Sequence, residues 1–530
     1  MKTVFVLILL FILFAESDAQ NATALSRATG EPLINQAVTA FENNDMVKAK
    51  YLLQKVLKTT PDNVTAHTLL AAIADRENNL QIAEKHFGLA ARFAPDSPET
   101  RNNYGVILLR LNRKTDAARE FAFSLKINSN QLSALVNLAQ IRFAENDLKA
   151  ARQLFERAKT IQPDVEINRA LIIIALRLNE KDRAVKDFQE YTLLAKDANI
   201  KTASRLELGT ILFTNGLLKE SIQELESAFS VDSSDIDLII QLAKAYTARK
   251  DIKAAGKLLE SALAHGVDSA KIYAELADVY EAGGFIENAI PAMRLAVEKD
   301  PKNEKYRFRY GMLLVDSKAP GAAEIRLEEF VRDFPQSGEL WIALGIAYFN
   351  NNKSTQAKAA LQKALTLEPK SLLAMAYMAN TYVEAAQYDE AAKIYERAIA
   401  VSGGKEAGVH FLLADTLLNM ATSDPKRIEN LLKRAIDLDV KLAPAYSALA
   451  TLYTRQRRWD EAATALERAI QLQPENTEAL YQLGGVYAKL KRTEESRMIL
   501  EKFKKSNEAQ KQKKEVDREA LVRRLANVRF

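Results

Sequence analysis

Prolines recur along this chain at a fixed interval, and that interval limits the fold more than any other feature. Pro61 and Pro95 stand 34 residues apart, as do Pro301 and Pro335, and Pro335 and Pro369. Pro95 and Pro163 are separated by twice that distance with Ser129 at the midpoint, and Pro474 lies further along. A period of this size marks a solenoid: one supersecondary unit is repeated, no unit buries its own apolar face, and neighbours must stack to form a continuous core. The unit has to be helical. Glycine (18) and proline (13) are scarce in 530 residues. Alanine, leucine, glutamate and lysine dominate, and they lose little entropy in a helix. A sandwich or barrel would need a turn residue every few positions.

The stretch around Trp341 shows the unit most clearly. Trp341, Leu344, Gly345 and Tyr348 share one helical face at spacings of three and four. Asn350, Asn351 and Asn352 make a turn, Ala357, Leu361 and Ala364 form a second apolar stripe, and Pro369 ends it. The frame returns as Tyr273, Leu276, Ala277, Tyr280, Ala289, Ala296 and Pro301, and as Tyr446, Leu449, Ala450, Tyr453, Ala462, Leu466, Ala469 and Pro474. Ala83, Phe87, Ala90 and Pro95 keep its second half. This pattern resembles the tetratricopeptide repeat. The resemblance covers about nine-tenths of the chain and implies an all-α, right-handed superhelical solenoid of about fourteen helical hairpins between residues 28 and 508. The small residues Gly345, Ala277 and Ala450 are expected to face Ala357, Ala289 and Ala462 where paired helices cross.

Three units depart from the frame. The one near Arg169–Lys196 lacks its proline and is followed by extra residues. The one near His410–Val440 has a lengthened turn, in which Asp424-Pro425 reads as a helix start. The one near Tyr273 carries Pro291 inside its second helix, where a kink is expected.

The ends read differently from the body. Lys2, the apolar run Val4–Phe14 and the small residues of Ser17-Asp18-Ala19 have the order of a secretory signal at residues 1–19, cleaved after Ala19, with 20–27 as a linker. The apolar run is too short to span a bilayer. The expected location is therefore periplasmic or extracellular. Between Lys502 and Phe530 there are ten Lys/Arg and four Asp/Glu, a net of +6, so the rest of the +5 chain sums to −1. That distribution is unlike a nucleic-acid binder, whose positive charge runs along a folded face. Residues 509–530 read either as a capping helix or as a basic amphipathic tail. The tail's Leu521, Leu525, Val528 and Phe530 would meet an anionic membrane surface or an acidic partner.

Chemistry-bearing motifs are absent from the sequence. With no cysteine there is no disulfide or thiolate site. His-Glu-x-x-His, the phosphate-binding Gly-x-x-x-x-Gly-Lys-Ser/Thr loop and the Gly-x-Ser-x-Gly turn do not occur. Gly283-Gly284 and Gly403-Gly404 read as turns, and Glu328-Glu329 as part of a solvated helix face. His67 and His86 fall in the two helices of one unit, within possible reach of each other, and no third metal ligand accompanies them. No enzyme, cofactor or metal is expected.

The resemblance implies that the first helix of each unit lines a concave groove where ligands bind. In this frame the N-terminal half of that lining holds Arg76, Asn102, Asn103, Arg110, Asn137, Gln140, Arg169 and Arg177. Amides match the backbone of an extended peptide and arginines match carboxylates. Further along come Glu207, Glu275, Asp278 and Glu281, and then Phe349, Tyr377, Phe411 and Tyr481. The function implied is a protein-binding scaffold that takes peptide segments or tails of envelope proteins as part of a larger assembly. A carbohydrate- or peptidoglycan-binding module and a non-catalytic subunit of an envelope enzyme are the alternatives.

Overall fold

The computed structural model describes residues 32–526 apart from 197, 318–319 and 421–422, and side chains as far as residue 509. The expected signal and linker at 1–27 lie outside the described residues. All regular structure among the described residues is α-helical, in 28 helices. The chain forms two compact units, one ending at Asp251 and the other beginning at Ile252. The first holds six hairpins, from Pro32–Glu42 with Met46–Thr59 through Thr202–Thr214 with Leu218–Phe229, and ends on the helix Ile236–Ala248. The second begins with the helix Ile252–Ala264 and continues through seven hairpins, from Ala270–Ala282 with Ile286–Lys299 to Thr477–Lys489 with Thr493–Ala526. The 28 described helices match in number the fourteen hairpins expected. The last helix runs without a break through residue 509.

Local sequence sets each boundary. Helices start on short polar side chains that accept a backbone N–H: Asp45 from Lys48, Asn63 from Ala66, Asp147 from Ala150 and Asn476 from Ala479. Within a hairpin the first helix closes on a left-handed residue. These are Asn44, Asn78, Asn112, Asn146 and Asn179 in the first unit, with φ between 57° and 65°. The next N–H then returns to the helix, as Asp45 N–H does to Ala40 O at 2.8 Å and Arg113 N–H to Leu108 O at 2.8 Å. In the lengthened turn Asp424 does cap the helix Pro425–Leu438 through Lys426 N–H. Pro291 lies inside the helix Ile286–Lys299, which continues past it.

The small residue of the first helix has a different partner from the one expected. A Cβ on Gly345 would lie 2.6 Å from Leu361 Cγ, and one on Gly105 would lie 2.6 Å from Phe121 Cε1. Glycine there makes room for a large side chain of the second helix, not for a second small one. The bulky position four residues into each first helix also does more than fill space. Trp341 Nε1 donates to Pro335 O (3.0 Å), Arg307 Nε to Pro301 O (2.9 Å), Arg101 Nε to Pro95 O (3.3 Å) and Tyr446 Oη to Val440 O (3.2 Å). His67 Nε2 meets Pro61 O at 3.0 Å and His410 Nε2 meets Gly404 O at 3.2 Å. Each bond ties the helix to the carbonyl six residues back, and so to the turn from the preceding hairpin.

Candidate functional site

In several places the first helices of successive hairpins touch directly. Pro98–Arg110 meets Leu132–Ala144, and Glu304–Asp316 meets Gly338–Asn350, which in turn meets Leu372–Glu384. Among the described residues the second helices show no comparable approach. Within each unit the first helices therefore form the tighter side of the stack, which is where the expected binding residues lie.

A strip of amides crosses that side in the first unit. Asn102 and Asn137 are 0% and 1% exposed, and Asn103 is buried beside them, with Asn102 Nδ2 donating to Asn103 Oδ1 at 3.4 Å. Asn102 Oδ1, Asn137 Nδ2 and Gln140 Oε1 are buried and have no hydrogen-bond partner among the described residues. Burying such groups unpaired costs about 1–3 kcal/mol each. Packing alone would have placed apolar residues there. Gln140 and Arg169 meet at a cavity of about 10 Å³, shared with Phe143, Phe155, Glu166, Ala170 and Ile173, which is room for one water.

The arginines are already engaged within this chain, two by acidic residues and two by aromatic rings. Arg110 pairs with Asp75 and donates to Asn78 Oδ1 (3.2 Å). Arg169 is buried between Glu166 (2.8 Å) and Glu207 (3.0 Å). Arg76 lies over the ring of Phe41 at 4.1 Å, while Arg177 lies over Phe143 at 5.0 Å and donates to Asn146 Oδ1 (2.9 Å). Two are thus internal ties and two cover aromatic rings. Burial pushes the Asp75 carboxyl up, against the pull of Arg110.

The later residues of the expected lining are similarly engaged. Asp278 and Glu281 both take Arg309 (2.7 and 2.5 Å), and Glu275 is buried. Phe349 and Tyr377 meet edge to face at 5.6 Å, and Phe411 is half-buried. Tyr481 is 62% exposed, its ring 5.5 Å from that of Phe503. These aromatics pair with neighbours and do not form a row of open platforms.

Sequence reasoning missed a buried ionic cluster. Tyr191 Oη donates to Glu224 Oε1 at 2.7 Å. Arg205 reaches the same carboxylate at 3.3 and 3.4 Å and donates to Ala195 O at 3.1 Å. Burial holds the Glu224 carboxyl above its ordinary range against both donors, and it pushes the Tyr191 hydroxyl up as well. The cluster closes the junction after the unit that lacks a proline. Glu328 was also misjudged: it is half-buried and accepts from Tyr348 Oη at 2.7 Å. His67 and His86 do meet, with their Nδ1 atoms 2.9 Å apart. Among the described residues no cluster of three acidic or histidine side chains could hold a metal ion.

Stacked hairpins of this period, with a turn-anchoring ring or guanidinium on several of the first helices, define a helical-repeat protein. Tetratricopeptide repeat family models match residues 105–166, 240–304, 338–371, 374–407 and 447–505, and the chain belongs to that family. Among curated relatives, it is 20% identical to the protein CTR9 homolog of Arabidopsis thaliana over 353 residues, which is 64% of this chain and 32% of that one. It is 21% identical to the human protein O-mannosyl-transferase TMTC3 over 80% of this chain and 41% of that one. The type IV pilus assembly protein PilF of Pseudomonas aeruginosa is 31% identical over 160 residues, 29% of this chain and 64% of that one. The chain thus spans about a third to two-thirds of these relatives' lengths. Solved structures similar to it include Cut9 in the APC/C Cut9–Hcn1 hetero-tetramer (12% identity, 88% of this chain and 99% of that one, TM-score 0.40). Yeast Tom70 is another (16% identity, 81% and 99%, TM-score 0.41).

Proposed function

We propose that this chain is a non-catalytic protein-interaction scaffold that holds an extended segment of a partner protein against the first helices of hairpins 98–127, 132–161 and 165–194. The observation that carries this reading is the amide strip. Half-buried Gln140 offers both the donor and the acceptor that an extended backbone needs, and Asn102 and Asn137 are enclosed amides of the same strip whose polar atoms lack partners among the described residues. Because the neighbouring arginines are already paired, selectivity would rest on backbone and shape and not on acidic side chains. We place the scaffold outside the cytoplasm, in an envelope assembly. The charged, apolar and small-residue order of positions 2–19 supports export, and the relative named for pilus assembly supports a role in a larger assembly. No described helix is long and apolar enough to cross a membrane.

The test is affinity capture of partners from native envelopes with the tagged full chain, beside a variant carrying Asn102→Ala, Asn137→Ala and Gln140→Ala. Recovery of a protein partner by the first and about tenfold less by the second is the expected result. Equal recovery by both removes the strip from the binding site.

A further inference from the structure

The two N-terminal hairpins carry a second, unrelated concavity on the opposite side of the stack. A groove of about 540 Å³ lies between the second helices Met46–Thr59 and Leu80–Phe93. Leu57, Leu70, Ala74 and Ile82 make it apolar, and Lys50, Gln54, Lys58, Glu77 and His86 supply its polar groups. The helix Met46–Thr59 has Lys48, Lys50, Lys55 and Lys58 and no acidic residue. Lys50 is neutralised by Glu77 at 2.8 Å, whereas Lys58 makes no ion pair among the described residues. The excess positive field is felt at Tyr51, whose hydroxyl is pulled below its ordinary range by a hydrogen bond and charge from Lys55 and by the charge of Lys58.

Large apolar side chains stand open beside this groove. Val47 is 79% exposed, Tyr51 56% and Ile82 47%. Val47, Lys50, Tyr51, Gln54 and Lys58 follow a helical stripe, so the open apolar groups and the groove share one face. The histidine pair adds a fixed polar group. A carbonyl can only accept, so His67 Nε2 carries the hydrogen given to Pro61 O. Its Nδ1 then takes the hydrogen of His86 Nδ1, leaving His86 Nε2 as a bare acceptor on a residue that lines the groove.

We infer that this groove docks an acidic amphipathic segment of a partner protein. The segment's apolar side chains enter between Leu57, Leu70 and Ile82, its carboxylates meet Lys58 and the lysines beside it, and one N–H reaches His86. Charge complementarity selects the occupant: an apolar floor beside unpaired Lys58, on a helix whose only charged residues are lysines, fits leucine flanked by glutamate. Gln54 and His86 offer an amide and a ring nitrogen, which suit peptide groups better than acyl chains. The surface is separate from the amide strip, so each can fail without the other.

The test uses the full chain and a fluorescent synthetic peptide built from alternating leucine and glutamate pairs, read by anisotropy. Binding below about 100 μM is expected, weakened about tenfold or more by Lys58→Glu and by Ile82→Asp. Asn137→Ala should leave it unchanged. Both charge-bearing changes are at exposed positions, and unaltered melting by circular dichroism confirms folding. Equal binding by these variants, equal binding of a peptide with lysine in place of glutamate, or no binding up to about 1 mM overturns the inference. So does competition by anionic phosphatidylglycerol vesicles that is lost with Lys58→Glu, which would assign the face to a membrane instead.

Discussion

The two units stack the same kind of hairpin and both tie successive hairpins with ion pairs, but they differ in how regularly a tyrosine joins the tie. In the C-terminal unit, ion pairs such as Arg309 with Asp278 and Arg458 with Glu429 are accompanied by a tyrosine of a first helix donating to a glutamate of the preceding second helix. Tyr280 meets Glu260 (2.6 Å), Tyr348 meets Glu328 (2.7 Å), Tyr453 meets Glu429 (3.0 Å) and Tyr487 meets Glu467 (2.7 Å). In the N-terminal unit Tyr246 with Glu226 (2.6 Å) is of that kind, but earlier junctions rely on ion pairs: Arg110 with Asp75, Arg113 with Glu84 (2.5 Å) and Arg152 with Glu180 (2.6 Å). The N-terminal unit also holds all four asparagines and the one arginine that are buried among the described residues. A repeat stack needs neither. The C-terminal unit has His410 Nδ1 and Ser447 Oγ buried without partners among the described residues, and the N-terminal unit has amide and guanidinium atoms of Asn102, Asn137, Gln140, Asn168 and Arg205 in that state.

The contrast can be broken most directly at the buried cluster. Glu224→Ala leaves Arg205 charged and enclosed, and is expected to destabilise the N-terminal unit by about 3–5 kcal/mol. Glu328→Ala removes a neutral donor's partner in the C-terminal unit and is expected to cost about 1 kcal/mol. Hydrogen exchange resolved by unit measures both, and equal costs would erase the distinction. Next in size is Asn137→Leu. If the strip is kept for binding, an apolar residue of similar volume should leave stability unchanged or raise it by up to about 1 kcal/mol, read from denaturant midpoints, while partner recovery falls. A loss above about 2 kcal/mol would make Asn137 a structural residue.

The turns differ between the units too. Where five turns of the first unit use asparagine in the left-handed region, beside Gly216 and Lys250, the second unit uses Ala386 (φ 54°), Arg457 (φ 59°) and Lys491 (φ 59°) beside Asn352. Ala386→Gly should stabilise by about 0.5–1 kcal/mol, because a Cβ is costly there, whereas Asn112→Gly should change little. Thermal melting of the two variants compares them. The smallest effect expected is in the response to acid, where Glu429 of one unit and Glu224 of the other should act in opposite directions. Hydrogen bonds from Arg458 and Lys433 hold Glu429 down at about 2, so its stabilising contribution is complete above about pH 4.5 and is lost as the pH falls towards 2. Glu224 is raised by burial, so the folded N-terminal unit binds its proton first and gains stability as the pH falls from neutral through that raised value. Exchange rates between pH 7 and 2, with Glu429→Gln and Glu224→Gln as controls, should show the two slopes with opposite sign.

Period, turn and helix start could all be read in the chain because each is set within a few residues. Pro335 and Pro369 mark the frame, and Asp424-Pro425 marks a helix start after an irregular turn. Candidate binding residues were legible as positions on a face but not as free or engaged groups. Arg110 and Asp75 are 35 residues apart, Arg169 and Glu207 are 38 apart, and Tyr191 and Glu224 are 33 apart. These partners meet only after hairpins stack, at offsets near one period that no local pattern announces. The glycine error has the same origin: Gly345 and Leu361 are chain neighbours of one hairpin, yet which residue fills the space over a missing Cβ depends on how the helices cross.

One bond recurs along the stack in four spellings. Histidine, arginine, tryptophan and tyrosine, at 67, 101, 341 and 446, each reach the carbonyl six residues earlier. To the fold these residues are near-synonyms, since each brings a flat or extended group with one hydrogen to give. A unit can therefore drift from one to another without losing step with its neighbours. The frame tolerates changes of vocabulary, and the surfaces it displays are free to specialise unit by unit while the spacing between them stays constant.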